Sequence, residues 1–329
     1  MSGQSRATMT SAEWHQKNPT AIEILFGGQF RTFDYFLVYT AVLFPELKIE
    51  RSDASQNETL TEFERYCIAV MFCKTDRNER ELALAWGVGR KVIGRTLQKW
   101  MPRLGKVGKD LSRHLLDYDF VKKFQPKGFP ERYGQPVAMA KDGTDFLTDT
   151  PRRRSLEARL LYGHKNDQQG GRAIVWSTPN GASIFATEVF CARGGEQRLV
   201  EAHRRWLFNI PKGTCYLIDR GFEHSGQHYP HFNRAHIPAF KRKRKRFQRR
   251  EVENARKISQ DRYTSETYNA RVKAQKVIKG QIQRHRFQYV NDAANWGHGM
   301  ANLYRPLVNP GDWKDYLARQ VKEAREPLV

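Results

Sequence analysis

The sequence predicts an α/β fold, in which a mixed sheet is flanked by helices, together with a separate N-terminal all-α module. Residues 60–100 carry three helical patterns in succession, whereas residues 136–240 consist largely of short strand-like runs. A connector rich in proline and glycine, residues 126–136, separates the two textures. Strands that alternate with helices are typical of the α/β class.

A chain of 329 residues is long enough for two domains with appendages. We predict four parts: a lead with a helical segment over residues 1–58, the helical module over 59–125, the α/β domain over 126–295 with a basic insertion at 241–258, and a C-terminal tail over 296–329.

Charge is the strongest global signal, since 57 Lys and Arg against 35 Asp and Glu give a net charge of +22. This excess favours a polyanionic partner, most often nucleic acid, because neutralising phosphates releases condensed counterions. An anionic membrane surface is the alternative. The longest apolar run, residues 35–44, is about half as long as a bilayer span, and residues 1–19 lack the apolar core of a signal peptide. We therefore expect a soluble, intracellular protein without a membrane partner.

Cysteine and histidine usage gives little support for a structural metal site. The cysteines are Cys67, Cys73, Cys191 and Cys215. They form no Cys-x-x-Cys pair, and we interpret them as reduced core residues. A histidine cluster stands at His224, His228 and His231. It lacks a fourth ligand at the spacing of a structural zinc site, so a polar loop is the favoured interpretation.

The helical module predicts three short helices. Thr61 and Glu64 have the spacing of a capping box before the first, and Gly87 interrupts the pattern after the second. The third pattern has an apolar face formed by Val92, Ile93, Leu97 and Trp100. Its remaining positions include Arg90, Lys91, Arg95, Gln98 and Lys99. This arrangement indicates a helix-turn-helix module whose third helix reads the DNA major groove through those five residues. An ordinary helical bundle with a solvated basic face is the alternative.

The second part of the chain predicts three strands, a helix, two further strands and a final long helix. The predicted strands are residues 137–147, 171–178, 182–190, 214–219 and 236–240. The second and third are joined by Pro179-Asn180-Gly181, a strong hairpin signal. The predicted helices are residues 196–208 and 259–283.

Three carboxylates stand at informative places in this pattern. Asp219 directly follows the fourth strand, and ligands in open α/β sheets bind at the carboxyl ends of strands. A turn is the alternative, since Asp and Gly are ordinary turn residues. Asp142 lies in the first strand and Glu266 in the final helix.

A polar stripe runs along the final helix. Its members are Arg262, Glu266, Asn269 and Lys273, spaced i, i+4, i+7 and i+11. An exposed face with i,i+4 ion pairs is the alternative. If the three carboxylates converge, each pair at about 4 Å repels by about 4 kcal/mol at an effective dielectric of about 20, so the site needs a cation. Mg²⁺ prefers oxygen ligands, and a pair of such ions serves phosphodiester cleavage.

Three elements in this order resemble the DDE transposases of the PIF/Harbinger and related insertion-sequence groups. They are Asp142-Gly143-Thr144, the hydrophobic-Asp-x-Gly-aromatic element from Leu217 to Phe222, and Arg262-x3-Glu266-x6-Lys273. The resemblance covers about residues 60–290 and implies an RNase H-like catalytic domain behind the helix-turn-helix.

The resemblance also implies roles for the polar residues. Asp142 and Asp219 would share two Mg²⁺ ions, for which Mn²⁺ can substitute, and Glu266 would complete the site. Arg262, Asn269 and Lys273 would contact double-stranded DNA, with Arg262 and Lys273 binding phosphate or orienting the glutamate. Water would cut at a transposon end, and the freed hydroxyl would attack target DNA.

Two positions depart from the family pattern. Ser259 stands where the insertion-sequence signature has a tyrosine, and residues 194–197 stand where the family often carries an aspartate. Other acids are available as alternatives: Asp145, Asp149, Glu253 and Asp261. A different register puts Gln275 at the third acidic position, and in that register the site is broken.

Residues 241–250 carry eight basic residues in ten. A nuclear localisation signal, a phosphate-binding loop and a solvated insertion are the interpretations. The run favours a nuclear protein, whereas a bacterial host would make it cytoplasmic.

The first functional hypothesis is a metal-dependent DNA endonuclease and transposase. The alternative is a domesticated or decayed copy that binds DNA or a protein without cutting. RNA binding ranks last because no aromatic-rich recognition strand is present. A homo-oligomer on DNA and an accessory DNA-binding protein are further partners that stay open.

Overall fold

The computed structural model describes residues 60–112, 118–123, 125–151, 155–163, 167–203, 210–219, 222, 235–239 and 246–302. The predicted N-terminal lead, the histidine cluster at 224–231, residues 241–245 of the basic run and residues 303–329 of the predicted C-terminal tail lie outside these residues.

The helices are α1 (Glu62–Thr75), α2 (Glu79–Trp86), α3 (Arg90–Leu111), α4 (Tyr118–Lys123), α5 (Phe129–Tyr133), α6 (Leu156–Leu161), α7 (Gly195–Ala202), α8 (Arg249–Asp261), α9 (Tyr263–Val272) and α10 (Val290–Asn302). The strands are β1 (Val137–Thr148), β2 (Tyr162–Gly163), β3 (Gln168–Ser177), β4 (Ser183–Ala186), β5 (Phe190–Cys191), β6 (Cys215–Leu217), β7 (Ala235–His236) and β8 (Gln281–Ile282). Short 3₁₀ turns span Ala192–Gly194, Lys276–Ile278 and Arg284–Tyr289. No helix in the described part of the chain combines the length and hydrophobicity needed to span a lipid bilayer.

The chain divides into two compact units. Among the described residues, 60–104 and 275–277 belong to the first unit and the remainder to the second. The predicted boundaries at residues 58, 125 and 295 stay predictions, and α10 runs across the last of them.

The first unit contains the three helices that the sequence predicts. The capping box at the start of α1 is present, because Glu64 N donates to Thr61 Oγ1 at 3.1 Å and Thr61 N donates to Glu64 Oε2 at 2.7 Å. Helix α2 ends at Gly87, which adopts a left-handed conformation with φ +63° that glycine tolerates without strain. Helix α3 is longer than predicted and continues past Pro102 to Leu111.

Helix α3 has the two faces that its sequence predicts. Ile93, Leu97 and Trp100 are buried, whereas Val92 is half-buried. The five residues assigned to DNA contact are all exposed: Arg90, Lys91, Arg95, Gln98 and Lys99. This amphipathic pattern explains why the helix forms, since burial of one apolar face stabilises it.

The second unit is built on a mixed sheet flanked by helices, which confirms the α/β prediction. Strand β1 is central, with antiparallel β3 on one side and parallel β6 on the other. Beyond β3 lie the antiparallel strands β4 and β5, and beyond β6 lies the parallel strand β7. The observed order β4–β3–β1–β6–β7 therefore joins an antiparallel half to a parallel half.

The β3–β4 hairpin forms at the predicted place. Thr178 N donates to Ala182 O at 2.8 Å, and Gly181 N donates to Thr178 O at 2.9 Å. Gly181 has φ +87°, which a residue with a side chain would adopt only under strain. The predicted third strand is shorter than expected, since residues 187–189 separate β4 from β5.

A continuous apolar cluster fills the space beside the sheet and includes Met139, Ile174, Trp176, Ile184, Val200, Tyr216 and Ile218. Cys67, Cys73 and Cys215 are buried as predicted. The prediction of a core position is wrong for Cys191, which is exposed on the short strand β5.

The prediction of one long helix over residues 259–283 is wrong. Helix α8 already begins at Arg249, the helical path breaks at Arg262, and α9 ends at Val272. Helix α9 then packs against α10, where the rings of Tyr268 and His298 stack with centroids 5.7 Å apart. The break matters for function, because it directs the Arg262 side chain into the sheet.

Candidate active site beside two parallel strands

Asp142 and Asp219 lie on neighbouring parallel strands at matching positions. Ala140 of β1 is in register with Leu217 of β6. Each aspartate therefore stands two residues beyond a paired position. Because side chains alternate between the faces of a strand, residues two apart share a face, and both carboxylates lie on the same face of the sheet.

One guanidinium group joins the two carboxylates. Arg262 Nη1 lies 3.2 Å from Asp219 Oδ1, and Arg262 Nη2 lies 3.5 Å from Asp142 Oδ1. The same Nη2 donates to the carbonyl oxygen of Lys141 at 3.2 Å. Arg262 is only 7% exposed, so its charge is largely removed from water and depends on these partners.

Asn269 holds the second oxygen of Asp142. Its Nδ2 donates to Asp142 Oδ2 at 2.8 Å. Asn269 is buried, and within the described residues its Oδ1 has no hydrogen-bond partner. The side chain of Asn269 therefore orients Asp142 through its nitrogen, while its oxygen has no hydrogen-bond partner among the described residues.

The environment of Asp142 opposes its ionisation. Burial raises the pKa of its carboxyl above the usual value, and the nearby charge of Asp219 raises it further. Arg262, the Gly143 backbone N–H and Asn269 act in the opposite direction, but burial remains the largest cause. The two acids thus lie close enough to interact, and one arginine compensates only part of their charge.

Glu266 lies on α9 between Arg262 and Asn269 in the polar stripe, and its side chain is exposed. Within the described part of the chain it makes no hydrogen bond or ion pair. In the same residues no group of three or more His, Cys, Asp or Glu lies close enough to hold a metal ion. The metal site formed by all three carboxylates therefore stays a prediction.

The donor atoms at this site fit a hard divalent cation. They comprise two carboxylates held beside one cationic group and the unpartnered amide oxygen of Asn269. Oxygen ligands of this kind suit Mg²⁺ or Mn²⁺.

Lys273 occupies the last position of the stripe. Its Nζ donates to the carbonyl oxygen of Asp145 at 2.8 Å. Burial lowers the pKa of the Lys273 ammonium, while Asp145 and Asp142 oppose that shift. In the protein without DNA, the residues assigned to phosphate contact thus bind strand β1 and its carboxylates.

Sequence reasoning missed a cluster of charged residues beside Asp142. Its members are Lys141, Asp145, Arg172 and Glu196, and Glu196 packs against Gly143 of β1. Arg172 Nη2 donates to Asp145 Oδ2 at 3.0 Å, and Arg172 Nη1 lies 3.4 Å from Glu196 Oε1. A Cβ atom added to Gly143 would stand 2.7 Å from Glu196 Oε1, so the glycine in Asp142-Gly143-Thr144 makes room for this glutamate. In the sequence, Gly143 was the feature that could have indicated a close neighbour at this point of the strand, although it does not identify Glu196.

Lys141 is fully buried, and its Nζ lies 3.5 Å from the centroid of the Phe222 ring. Burial lowers the pKa of its ammonium to about 6, while Glu196 opposes that shift.

The alternative acids are engaged elsewhere. Asp145 is bound by Arg172, and Asp149 accepts a hydrogen bond from Arg284 N at 3.4 Å. Glu253 pairs with Arg249 at 2.9 Å. Asp261 is bound by Arg132 and Tyr133. Gln275 is a buried residue of the first unit. Asp145 shares Arg172 with Glu196, which was not among the candidate acids. Among the candidates themselves, Asp142 and Asp219 are the pair seen to share one cationic group in the described structure.

Two of the DNA-contact residues predicted on α3 form ion pairs within the first unit. Arg90 Nε lies 2.9 Å from Glu79 Oε2, and Lys99 Nζ lies 2.8 Å from Glu62 Oε1. Both basic side chains remain well exposed, so the pairs are weak and leave the surface basic.

Comparison with known proteins gives one informative result. No significant match to the chain was found among curated proteins or among solved structures. Residues 141–303 match the family model described as DDE superfamily endonuclease, so the part of the chain that contains Asp142, Asp219 and Arg262 is similar to the DDE superfamily endonucleases.

Proposed function

We propose that the protein is a DDE transposase-type DNA endonuclease of the PIF/Harbinger-like group, which hydrolyses phosphodiester bonds at transposon ends and transfers the strand. One observation carries the proposal. Two aspartates, one within β1 and one just beyond the end of the adjacent parallel strand β6, share a single cationic group within the region that matches the endonuclease family model. The sheet, with an antiparallel half followed by parallel strands, supports an RNase H-like catalytic domain.

Asp142, Asp219 and Glu266 are the residues that would hold Mg²⁺, with two ions as the expected number and Mn²⁺ as a substitute. The bound metal would supply Lewis acidity for activating water and stabilising the departing oxygen. Asn269 keeps Asp142 in a fixed orientation through its 2.8 Å hydrogen bond. Glu266, exposed on the same helix, can change rotamer without breaking a contact in the described structure.

Binding of double-stranded DNA is supported by the charge of +22 and by the exposed basic residues of α3. We propose that α1–α3 act as a helix-turn-helix module, with Lys91, Arg95 and Gln98 free to reach base edges. A nuclear location follows if the host is eukaryotic.

Nicking of supercoiled plasmid by the full-length protein tests the proposal. Mg²⁺ or Mn²⁺ should support nicking, and EDTA should abolish it. Asp142→Asn, Asp219→Asn and Glu266→Gln should each lower the rate at least about a hundredfold, since each removes a charge that holds the metal. Glu253→Gln is the matched control, because its exposed carboxylate pairs only with Arg249 on the same helix.

DNA affinity should separate chemistry from binding. Fluorescence anisotropy across a salt titration should give similar affinities for the wild type and Asp219→Asn, because phosphate contacts set the salt dependence. An Asp219→Asn protein that nicks as fast as the wild type would refute the assignment.

A second candidate function is DNA binding without cleavage, in a domesticated or decayed transposase. The observation that favours it is the position of Arg262 between the two aspartates, with Glu266 exposed nearby. Salt-dependent DNA binding without metal-dependent nicking, on substrates that include the ends of its own element, would support this candidate.

A further inference from the structure

The Arg262 guanidinium contacts both of the carboxylates that we assign to metal binding. An arginine placed for phosphate contact would be expected to present its charge to solvent. Arg262 is instead 7% exposed, and two of its nitrogens face Asp142, Asp219 and the Lys141 carbonyl oxygen. Its Nε has no hydrogen-bond partner within the described residues, so the side chain is held mainly through its two terminal nitrogens.

Two carboxylates that lie this close need a positive charge. Like charges at such separations repel strongly in a partly buried site, and an unpaired buried charge is costly. In the described structure Arg262 is the cation that contacts both aspartates. A divalent cation bound by both carboxylates would therefore compete with Arg262 for them.

The backbone at Arg262 explains how a helical residue reaches this position. Helix α8 ends at Asp261, whose carboxylate is bound by Arg132 and by the Tyr133 hydroxyl at 2.6 Å. Arg262 itself stands between the two helices, α9 begins at Tyr263, and Ser265 N donates to Arg262 O at 2.9 Å. The junction is therefore anchored on both sides, and it presents Arg262 to the aspartates.

We propose that Arg262 is a positioning residue that acts as an internal counter-cation: it keeps Asp142 and Asp219 together in the metal-free protein and gives way when a divalent cation binds them. The inference rests on the proposed function, because it takes these aspartates as metal ligands. It assigns Arg262 to the metal-free state of the site, in place of the phosphate contact that the sequence pattern suggested.

Mn²⁺ binding to the full-length protein, measured by electron paramagnetic resonance without DNA, tests the displacement. Arg262→Gln removes the competing charge, so we expect Mn²⁺ to bind at least about tenfold more tightly than to the wild type. Arg262→Lys keeps a charge and should stay closer to the wild type. Arg256→Gln, an exposed position on α8, is the matched control and should leave Mn²⁺ affinity nearly unchanged. Unchanged or weaker Mn²⁺ binding by folded Arg262→Gln would overturn the proposal.

A metal-free measurement tests the counter-cation role separately. Thermal unfolding in EDTA should show that Asp219→Asn stabilises the Arg262→Gln background, where it relieves repulsion. In the wild-type background the same change removes an ion pair and should give no such gain. This non-additivity is a coupling that a merely structural arginine would not produce. If Arg262→Gln fails to fold, the added Asp219→Asn should restore folding. Additive effects, or no restoration, would contradict the role.

The two measurements distinguish failure of this inference from failure of the proposed function. If neither the wild type nor Arg262→Gln binds Mn²⁺, the proposed metal site and the displacement both fail. The coupling between Arg262 and Asp219 then still decides whether the arginine serves as the counter-cation. If the wild type binds Mn²⁺ and nicks DNA while Arg262→Gln shows no gain in affinity, the proposed function stands and only this inference is lost.

Discussion

Acidification is expected to destabilise the contact between helices α9 and α10 through His298. This residue is 1% exposed, and its Nδ1 lies 3.0 Å from the Tyr268 hydroxyl oxygen. Tyr268 is on α9, the helix that also carries Asn269 and follows Arg262. Burial lowers the pKa of the His298 imidazole from the usual 6.5 to about 3, because the low-dielectric interior disfavours the imidazolium.

The direction and size of the effect follow from proton linkage. The unfolded chain protonates this imidazole below about pH 6.5 and the folded chain only near pH 3, so between these values the unfolded state binds more protons. The contribution to the free energy of unfolding is therefore complete above about pH 6.5 and is lost as the pH falls towards 3. Each pKa unit corresponds to about 1.4 kcal/mol, which sets an upper limit on the order of 5 kcal/mol.

The assay is urea unfolding of the wild type and His298→Gln at several pH values between about 8 and 4.5. Carboxylates titrate in both proteins, so the informative quantity is the difference in unfolding free energy between them. We expect the wild-type advantage to shrink by at least about 1 kcal/mol as the pH falls through this range. His285→Gln, at an exposed position, should show no pH-dependent difference from the wild type. A wild-type advantage over His298→Gln that stays constant across the range would refute the reasoning.

Two further predictions concern close contacts within the second unit. A Cβ atom at Gly108 would stand 2.2 Å from the Asn295 carbonyl oxygen, so Gly108→Ala should cost about 1–3 kcal/mol in urea unfolding. Gly94→Ala, at an interior position of the same helix where the added atom would lie 3.9 Å from Glu79 Oε1, should be neutral or stabilising. Equal effects would contradict the packing of α3 on α10. Asp261→Asn removes the charge that binds Arg132 and should lower the free energy of unfolding by about 1–2 kcal/mol in the same assay. A neutral effect would show that this ion pair does not anchor the α8–α9 junction.

The positions of Asp142 and Asp219 could be predicted from the sequence because a strand-forming run is recognisable from neighbouring residues alone. An apolar run that ends on Asp219, and a first strand that carries Asp142, suffice to place the two carboxylates side by side once the strands are adjacent and parallel. The spacing of Arg262, Asn269 and Lys273 likewise predicted one helix face, and all three contact β1 or its carboxylates.

The break between α8 and α9 could not be predicted in the same way. No proline or glycine marks residues 259–265, so local propensity continues one helix through them. The break coincides with the contacts of Asp261 to Arg132 and of Arg262 to the aspartates, which connect residues more than 40 positions apart along the chain. Contacts of this kind override propensity and leave no periodic signal.

The ionic cluster around Glu196 was hidden for a related reason. A lysine or arginine within a strand is consistent with a solvent-facing position, so Lys141 and Arg172 carried no sign that they are buried. Glu196 reaches β1 through its close approach to Gly143, and a glycine in the sequence does not show which residue lies against it.

The partners of Arg262 could not be predicted from the spacing of charged residues along the helix. Helix spacing tells which acids and bases share a face, but the partner of each base depends on which unpaired charges the fold brings near. In the described structure the partners of Arg262 are Asp142 and Asp219, two acids from other elements, and not Glu266 one turn further along the same helical stripe.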